Sequence, residues 1–200
     1  MGLVMTKQNL DSSKLLHSLQ LLHEQLLLID APKTELVVCG GSALIALDLV
    51  LRTTQDLDII ALIRADELID SEPLPEYLIS AANQVARILN LPIDWLNNRP
   101  ASQFNLGLPE GFQERLVPKI IGDKLTIHYI SRYDQIFFKT YASADRGGYH
   151  VSDLRALNPT EDELLAAAQW CMKQDVSEAF SLTLQDMFRQ LGWKNVSARI

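Results

Sequence analysis

The sequence predicts a mixed α/β (α+β) fold, with a mixed sheet flanked by helices and followed by a C-terminal helical segment. Two observations support this prediction. Short apolar runs ended by glycine or polar residues alternate with stretches of helical periodicity up to about residue 130. Beyond that point only helical patterns remain. For a chain of 200 residues, we predict an α/β core over residues 1–130 and a helical subdomain over 131–200 that packs on it.

The first half of the chain predicts helices and strands in alternation. A helix is predicted over Ser12–Leu28, where leucines recur at helical spacing after a cap at Asp11 or Ser12. The next elements, in order, are the strand "ELVVCGG", the helix "SALIALDLVL", the strand "DLDIIALI", the helix "PEYLISAANQVARILN" and the strand "LPIDWL". The strands are short and apolar, as buried strands are.

The second half begins with a loop and ends in helices. Residues 97–110 are rich in Pro, Gly and Asn and predict a loop, with a mobile lid as one interpretation. The segment "VPKIIGDKLTIHYI" predicts two strands joined by a tight turn at Gly122-Asp123. Helices follow after Ser131, after a capping box of Thr160 and Glu163, and up to Gly192.

Composition and charge limit the function classes. The chain is 48% hydrophobic and 22% charged, as in soluble globular proteins, and its net charge of −7 argues against a surface that wraps nucleic acid. Residues 110–155 are the least acidic, with seven Lys and Arg against six Asp and Glu. No apolar run approaches the ~18 residues of a membrane span, and "MGLVMTKQ" shows no signal peptide. We expect a cytoplasmic protein without membrane contact, in which Cys39 and Cys171 are buried free thiols.

Two aspartates in "DLDII" form the first candidate site. Side chains at positions i and i+2 of a strand lie on the same face, so Asp56 and Asp58 are expected to point the same way. Two carboxylates held this close repel each other unless a cation lies between them. Mg²⁺ prefers a few carboxylates together with substrate phosphates, so this pair predicts a magnesium site, with Mn²⁺ as an alternative ion.

A glycine turn lies fifteen residues before the aspartates. Gly40 and Gly41 follow a buried strand, and Ser42 begins a predicted helix whose free N–H groups favour a phosphate. The interval between the turn and Asp56 leaves room for one short helix, so both features are expected at neighbouring strand ends. Gly40, Gly41 and Ser42 are therefore predicted to bind a phosphate, and the family resemblance given next implies that this phosphate belongs to a nucleotide.

The segment "GGSALIAL…RTTQDLDII" resembles the signature of the DNA-polymerase-β-type nucleotidyltransferase superfamily. The superfamily pattern covers residues 36–95. The resemblance implies a nucleotidyltransferase-type mixed sheet and a third carboxylate on a later strand that completes a two-metal site. Asp94 in "LPIDWLN" is the best match, with capping of a strand end as its structural alternative. Asp123, which lies in a predicted turn, is the second candidate for this third carboxylate.

A narrower resemblance extends to about residue 157. The "LRTTQDLD" and "DQIFFKTYASADRGGYHVSDLRAL" segments are similar to bacterial nucleotidyltransferases related to abortive-infection (AbiEii-type) toxins. This resemblance implies nucleotide-binding roles at five positions: Arg52, Thr54, Lys139, Arg146 and Asp153. Alternatives remain for four of them. Arg52 is otherwise a solvated surface residue, Lys139 extends to solvent, and Arg146 and Asp153 form a structural ion pair.

These resemblances imply a metal-dependent enzyme that moves an NMP from a nucleoside triphosphate to a hydroxyl-bearing acceptor. Asp56, Asp58 and Asp94 would hold two Mg²⁺ ions, and the acceptor would be tRNA, a protein or a small molecule. The narrower resemblance adds a role as the toxin of a toxin–antitoxin pair, with an antitoxin protein as partner. Two alternatives remain open: an inactive nucleotide- or partner-binding module on the same fold, and an interaction protein in which "DLD" is a surface pair.

Overall fold

The computed structural model describes residues 9–200, so the predictions made for "MGLVMTKQ" concern residues outside the described part. Within residues 9–200 a six-stranded mixed sheet is flanked by helices, and the chain ends in helices. The predicted mixed α+β class with a C-terminal helical segment is confirmed. Across this part of the chain, no helix combines the length and apolar character needed to cross a membrane.

The strands are β1 (Thr34–Cys39), β2 (Leu57–Arg64), β3 (Glu67–Asp70), β4 (Leu96–Asn97), β5 (Val117–Gly122) and β6 (Leu125–Tyr129). The sheet has the strand order β3-β2-β1-β6-β5, and β4 pairs with the first residues of β2. Strand β1 runs antiparallel to β2 and parallel to β6. The β2–β3 and β5–β6 pairs are antiparallel, whereas β4 is parallel to β2.

The helices lie before, between and after these strands. They are α1 (Ser12–Leu28), α2 (Gly40–Ala46), α3 (Glu76–Leu89), α4 (Ala101–Leu106), α5 (Arg132–Asp145), α6 (Tyr149–Ala156), α7 (Glu161–Gln174), α8 (Glu178–Gln190) and α9 (Lys194–Ser197). A single 3₁₀ turn, Gln113–Arg115, precedes β5. The predicted cap of α1 is correct, because the side chain of Asp11 accepts a hydrogen bond from the Lys14 N–H at 2.9 Å.

A hydrophobic core joins α1 and α3 to the sheet. The α1 leucines at helical spacing, Leu15, Leu19, Leu22 and Leu26, are at most 2% exposed and pack in one cluster with Val85 of α3. Leu36 of β1 and Ile127 of β6 belong to the same cluster and are fully buried. These apolar contacts fix the strand ends where the candidate site lies.

Several elements differ from the sequence prediction. The predicted helix "SALIALDLVL" begins earlier, at Gly40, and ends at Ala46, because Asp48 turns into the left-handed region with φ of 54°. Strand β3 was not predicted; it follows a turn at Ala65 and Asp66, both with positive φ. The predicted loop over 97–110 contains α4, and the helices α6 and α9 were also missed.

The described chain divides into two compact units. The first unit contains the described residues up to Asn105 together with Gln113–Ile130, and thus all six strands. The second contains Leu106–Phe112 and Ser131–Ile200. Both cysteines are free and buried, as predicted. Burial raises the pKa of Cys171 well above its ordinary value, which keeps this side chain a neutral thiol.

Helix caps and an ion pair between α5 and α7 stabilise the second unit. Thr160 and Glu163 form the predicted capping box at the start of α7. The guanidinium of Arg132, at the start of α5, donates to both carboxylate oxygens of Glu163, at 2.7 and 3.1 Å. Glu163 therefore ties α5 to α7 and caps α7 at the same time.

Replacing Glu163 with glutamine should lower the free energy of unfolding by about 1 kcal/mol at neutral pH, since the pair is partly exposed. The Arg132 guanidinium holds the pKa of Glu163 below its ordinary value. A lowered folded-state pKa stabilises the protein above the unfolded-state pKa, and this stability is lost as the pH falls through the folded-state pKa. Urea denaturation from neutral pH to below about pH 4 should show the wild type and Glu163→Gln converging.

The matched control is Glu178→Gln, which changes a first-turn glutamate of α8. No ion pair of that glutamate ties α8 to a second helix among the described contacts. Its unfolding free energy should therefore stay close to the wild-type value at neutral pH. A constant difference between wild type and Glu163→Gln across the acid range would contradict the assigned electrostatic role.

Candidate functional site

The glycine turn and the second aspartate meet where β1 ends. Cys39, the last residue of β1, pairs with Asp58 in the antiparallel β1–β2 ladder. The next residue, Gly40, has φ of +68°, and a Cβ atom built on it would lie 2.7 Å from Oδ2 of Asp58. Only glycine allows this close approach at a left-handed position. The turn and the Asp58 carboxylate are thus in direct contact.

Gly41 is similarly enclosed by the residues that precede the aspartates. A Cβ atom built on Gly41 would lie 2.8 Å from Oγ1 of Thr54 and 3.0 Å from Nη2 of Arg52. The Arg52 guanidinium also donates to the Thr53 carbonyl at 2.9 Å. Arg52 and Thr54 therefore both lie beside the glycine turn, where the sequence predicted a nucleotide.

Asp56 and Asp58 flank the first residue of β2. Leu57 and Ile59 are fully buried in the core, so strand alternation places the two aspartates on the opposite face. The side chain of Asp56 is 29% exposed, and its Oδ1 accepts a hydrogen bond from the Thr54 hydroxyl at 3.3 Å. The structure thus brings six predicted residues together in the first unit: Gly40, Gly41, Arg52, Thr54, Asp56 and Asp58.

The Ser42 side chain is not exposed at the glycine turn. It is fully buried, and its hydroxyl donates to the Cys39 carbonyl at 3.2 Å. This bond satisfies a carbonyl at the end of β1 and fixes the start of α2. Any contact of Ser42 with a phosphate would therefore come from its backbone N–H.

Asp94 does not lie within an apolar strand, because only Leu96 of the predicted strand over 91–96 belongs to a strand, as the first residue of β4. The N–H of Trp95 donates to the Pro92 carbonyl at 3.0 Å, which closes a turn before the two-residue strand β4. Trp95 is fully buried, and its indole N–H donates to the Ala82 carbonyl. The side chain of Asp94 is 51% exposed. The turn over residues 92–95 thus accompanies the burial of Trp95 and leaves Asp94 at the surface.

Arg99 connects Asp94 to Asp56. Its Nη1 lies 3.2 Å from Oδ2 of Asp56, and its Nη2 donates to Oδ2 of Asp94. One guanidinium therefore joins the first aspartate of "DLD" to the third predicted carboxylate. Arg99 was not predicted as a site residue, although it stands in the segment "DWLNNRP" shortly after the strand that pairs with β2.

Asn97 was also missed. In the parallel β2–β4 ladder it is paired with Asp58 and is 8% exposed. Its Oδ1 accepts a hydrogen bond from the backbone N–H of Arg99 at 3.0 Å. This local turn holds the backbone that carries Arg99. The residue in register with Asp58 is thus an amide that organises the loop, not a carboxylate.

Lys139, Arg146 and Asp153 lie in the second unit. The Lys139 ammonium is 2.7 Å from Oδ2 of Asp153, and the two side chains are only 5% and 3% exposed. Lys139 thus does not extend to solvent. Arg146 pairs with the neighbouring Asp145 at 3.3 Å, so the alternative of an Arg146–Asp153 ion pair is wrong. The nucleotide-binding roles of these three residues stay predictions.

A family model described as "Nucleotidyltransferase of unknown function (DUF6036)" matches residues 14–180, most of the chain. The chain belongs to this family. The match includes the glycine turn, both aspartates of "DLD" and the Arg99 loop. No curated protein and no solved structure matches the sequence. Membership of the DUF6036 family supports the predicted nucleotidyltransferase superfamily and makes nucleotidyl transfer the general activity.

The acidic residues of this DUF6036 member fit a divalent cation held by two carboxylates. Within residues 9–200 no three His, Cys, Asp or Glu side chains are grouped to bind a metal, so the three-carboxylate cluster of Asp56, Asp58 and Asp94 is not formed. A positive group already lies at Asp56, namely the Arg99 guanidinium. Two carboxylates completed by substrate phosphates suit Mg²⁺. A third ligand from Asp94 stays a prediction.

Gly40 should tolerate alanine much less than Gly41. Gly40→Ala combines a left-handed φ with a contact of 2.7 Å to Asp58, and should lower the free energy of unfolding by roughly 2–3 kcal/mol. Gly41 has no left-handed φ, so Gly41→Ala, whose Cβ meets Oγ1 of Thr54 and the Arg52 guanidinium, should cost less, about 1 kcal/mol. Urea denaturation of both variants measures the difference, and equal losses would contradict the proposed packing.

Proposed function

We propose that this protein transfers an NMP from a nucleoside triphosphate to a hydroxyl-bearing acceptor, with Mg²⁺ or Mn²⁺ held by Asp56 and Asp58. One observation carries the proposal: the Asp58 carboxylate, at the start of β2, lies against the Gly40 turn that follows β1. A carboxylate pair beside a glycine turn suits a metal-bound triphosphate. Membership of a nucleotidyltransferase family supports the same activity.

Each residue of the site has a specific task in this proposal. Asp56 and Asp58 orient the metal, which when bound neutralises phosphate charge and polarises the reacting oxygens. The backbone N–H groups of Gly40–Ser42 bind the phosphates. Thr54, through its hydrogen bond to Asp56, keeps that carboxylate in one orientation. Beyond holding the metal and the phosphates, these residues would contribute mainly by aligning the acceptor with the triphosphate.

The transfer assay uses each of the four α-³²P-labelled nucleoside triphosphates with Mg²⁺, and offers total tRNA, cell-extract protein and small metabolites as acceptors. Label should appear in one acceptor class with the wild type and be absent with Asp58→Asn. Acceptors labelled equally by both proteins would contradict the assigned role of Asp58. The identity of the labelled class then decides between tRNA, protein and small molecule.

Binding without transfer is the second candidate function. Asn97, and not a carboxylate, is the residue paired with Asp58, and Arg99 already neutralises Asp56. These two observations favour an inactive nucleotide- or partner-binding module on the same fold. The candidate predicts metal-dependent binding of a triphosphate with no labelled acceptor in any class. Calorimetry and the transfer assay together separate the two functions.

We propose the toxin role on the narrower resemblance to AbiEii-type nucleotidyltransferases alone. In this role the protein would modify an essential acceptor in a bacterial cytoplasm and would be neutralised by an antitoxin protein. Induced expression in a bacterial host should then arrest growth, and Asp58→Asn should remove the arrest. Growth arrest that persists with Asp58→Asn would contradict a toxin that acts by nucleotidyl transfer.

A further inference from the structure

We propose that Arg99 is a phosphate-binding cation of the site, and that it acts as a counter-ion of Asp56 until a divalent metal takes its place. This inference rests on the proposed function, because it concerns the metal and triphosphate of the same site. It starts from the bridge in which one guanidinium contacts both Asp56 and Asp94. Neither contact was expected from the sequence.

Hydrogen bonds fix the backbone at Arg99, whereas its side chain is largely exposed. The Asn97 Oδ1 accepts from the backbone N–H of Arg99, and the Asn98 side-chain amide donates to the Ser71 carbonyl at 2.9 Å. The first contact ties the loop to β4, and the second ties it to the residue that follows β3. The Arg99 side chain itself is 60% exposed. The loop therefore presents a long cation beside Asp56 without burying it.

A metal ion at Asp56 would compete with this guanidinium. The Nη1 of Arg99 already donates to Oδ2 of Asp56, at 3.2 Å, and the Thr54 hydroxyl donates to Oδ1. Exposed ion pairs contribute only about 0.2–1 kcal/mol, so a divalent ion can displace the arginine at small cost. The same displacement would release the Asp94 carboxylate from Arg99.

The released guanidinium has the chemistry to bind phosphate. Arginine presents five N–H donors in a planar fork that matches phosphate oxygens in pairs. Lys139, the cation that the sequence favoured, is bound within its own unit to Asp153, and moving it away would break a buried ion pair. Arg99 can change partners without such a cost.

The test measures Mn²⁺ binding by electron paramagnetic resonance, with and without ATP, GTP, CTP or UTP. It compares the wild type, Arg99→Ala, Arg99→Lys and the control Arg87→Ala, which removes an exposed arginine of α3. Without nucleotide, Arg99→Ala should bind Mn²⁺ roughly three- to fivefold more tightly, since its competitor is gone. With Mn²⁺ present, the same variant should bind the preferred triphosphate about tenfold more weakly. Arg99→Lys should fall between, and Arg87→Ala should match the wild type.

The outcomes separate this inference from the proposed function. Unchanged or weaker Mn²⁺ binding by Arg99→Ala, with normal binding by the wild type, overturns the role of Arg99 alone. Unchanged triphosphate affinity in Arg99→Ala overturns its role as a phosphate ligand. A wild type that binds neither Mn²⁺ nor any triphosphate overturns the proposed function and this inference together.

Discussion

Replacing Asp58 with asparagine should reduce nucleotidyl transfer by at least about a thousandfold, because a metal ligand contributes several kcal/mol to transition-state stabilisation. Asparagine keeps the size of the side chain but lacks its negative charge. The site depends on this charge in particular, since Asp58 lies against the Gly40 turn and opposite the last residue of β1. In the proposed function, a carboxylate at this place would orient the metal relative to the triphosphate.

The measurement is the rate of NMP transfer from the preferred labelled triphosphate, with folding of each variant checked by circular dichroism. Asp186→Asn is the matched control, because Asp186 makes an exposed ion pair with Arg189 on α8. Its rate should equal that of the wild type. If a folded Asp58→Asn retained more than about a tenth of the wild-type rate, Asp58 could not be a metal ligand of the reaction.

Replacing Lys139 with methionine should lower the free energy of unfolding by about 3–5 kcal/mol, the usual cost of removing one member of a buried ion pair. Lys139 and Asp153 are 2.7 Å apart and almost fully buried, so the variant would leave the Asp153 charge without this partner. The Lys139 ammonium also lies 5.7 Å from the centre of the Tyr149 ring, which adds a cation–π contact.

Two further variants sharpen this test in urea denaturation. Arg146→Met removes an exposed pair, 57% and 53% accessible, and should cost less than about 1 kcal/mol. The double variant Lys139→Met/Asp153→Leu replaces both charges with apolar groups and should recover most of the lost stability. A stable Lys139→Met with reduced triphosphate affinity would contradict the structural role and favour the nucleotide-binding role.

The sequence predicted the elements whose signals are local. The apolar periodicity of α1, the Asp11 cap and the capping box of Thr160 and Glu163 each depend on residues a few positions apart, and each is found as expected. Part of the candidate site could also be predicted from the sequence. Strand period places Asp56 and Asp58 together, and the glycine turn required a close approach that the structure finds at Gly40.

The errors lie where tertiary packing overrides a local pattern. "LPIDWL" has the composition of a strand, yet burial of Trp95 turns the chain and leaves Asp94 exposed. Arg99 was missed because its partners are five and forty-three positions away, and only the β2–β4 pairing brings them together. The pairing of Lys139 with Asp153 likewise depends on the packing of α6 against α5.

Calorimetric titration with nucleoside triphosphates most directly tests whether Asp56, Asp58 and the glycine turn form a metal-dependent triphosphate site. The four triphosphates are titrated into the wild type and into Asp58→Asn, each with Mg²⁺ and with excess chelator. We expect at least one triphosphate to bind the wild type with Mg²⁺, and this binding to be lost with chelator and in the folded Asp58→Asn variant. Binding of equal affinity in the variant, or no binding to the wild type with Mg²⁺, would contradict the account.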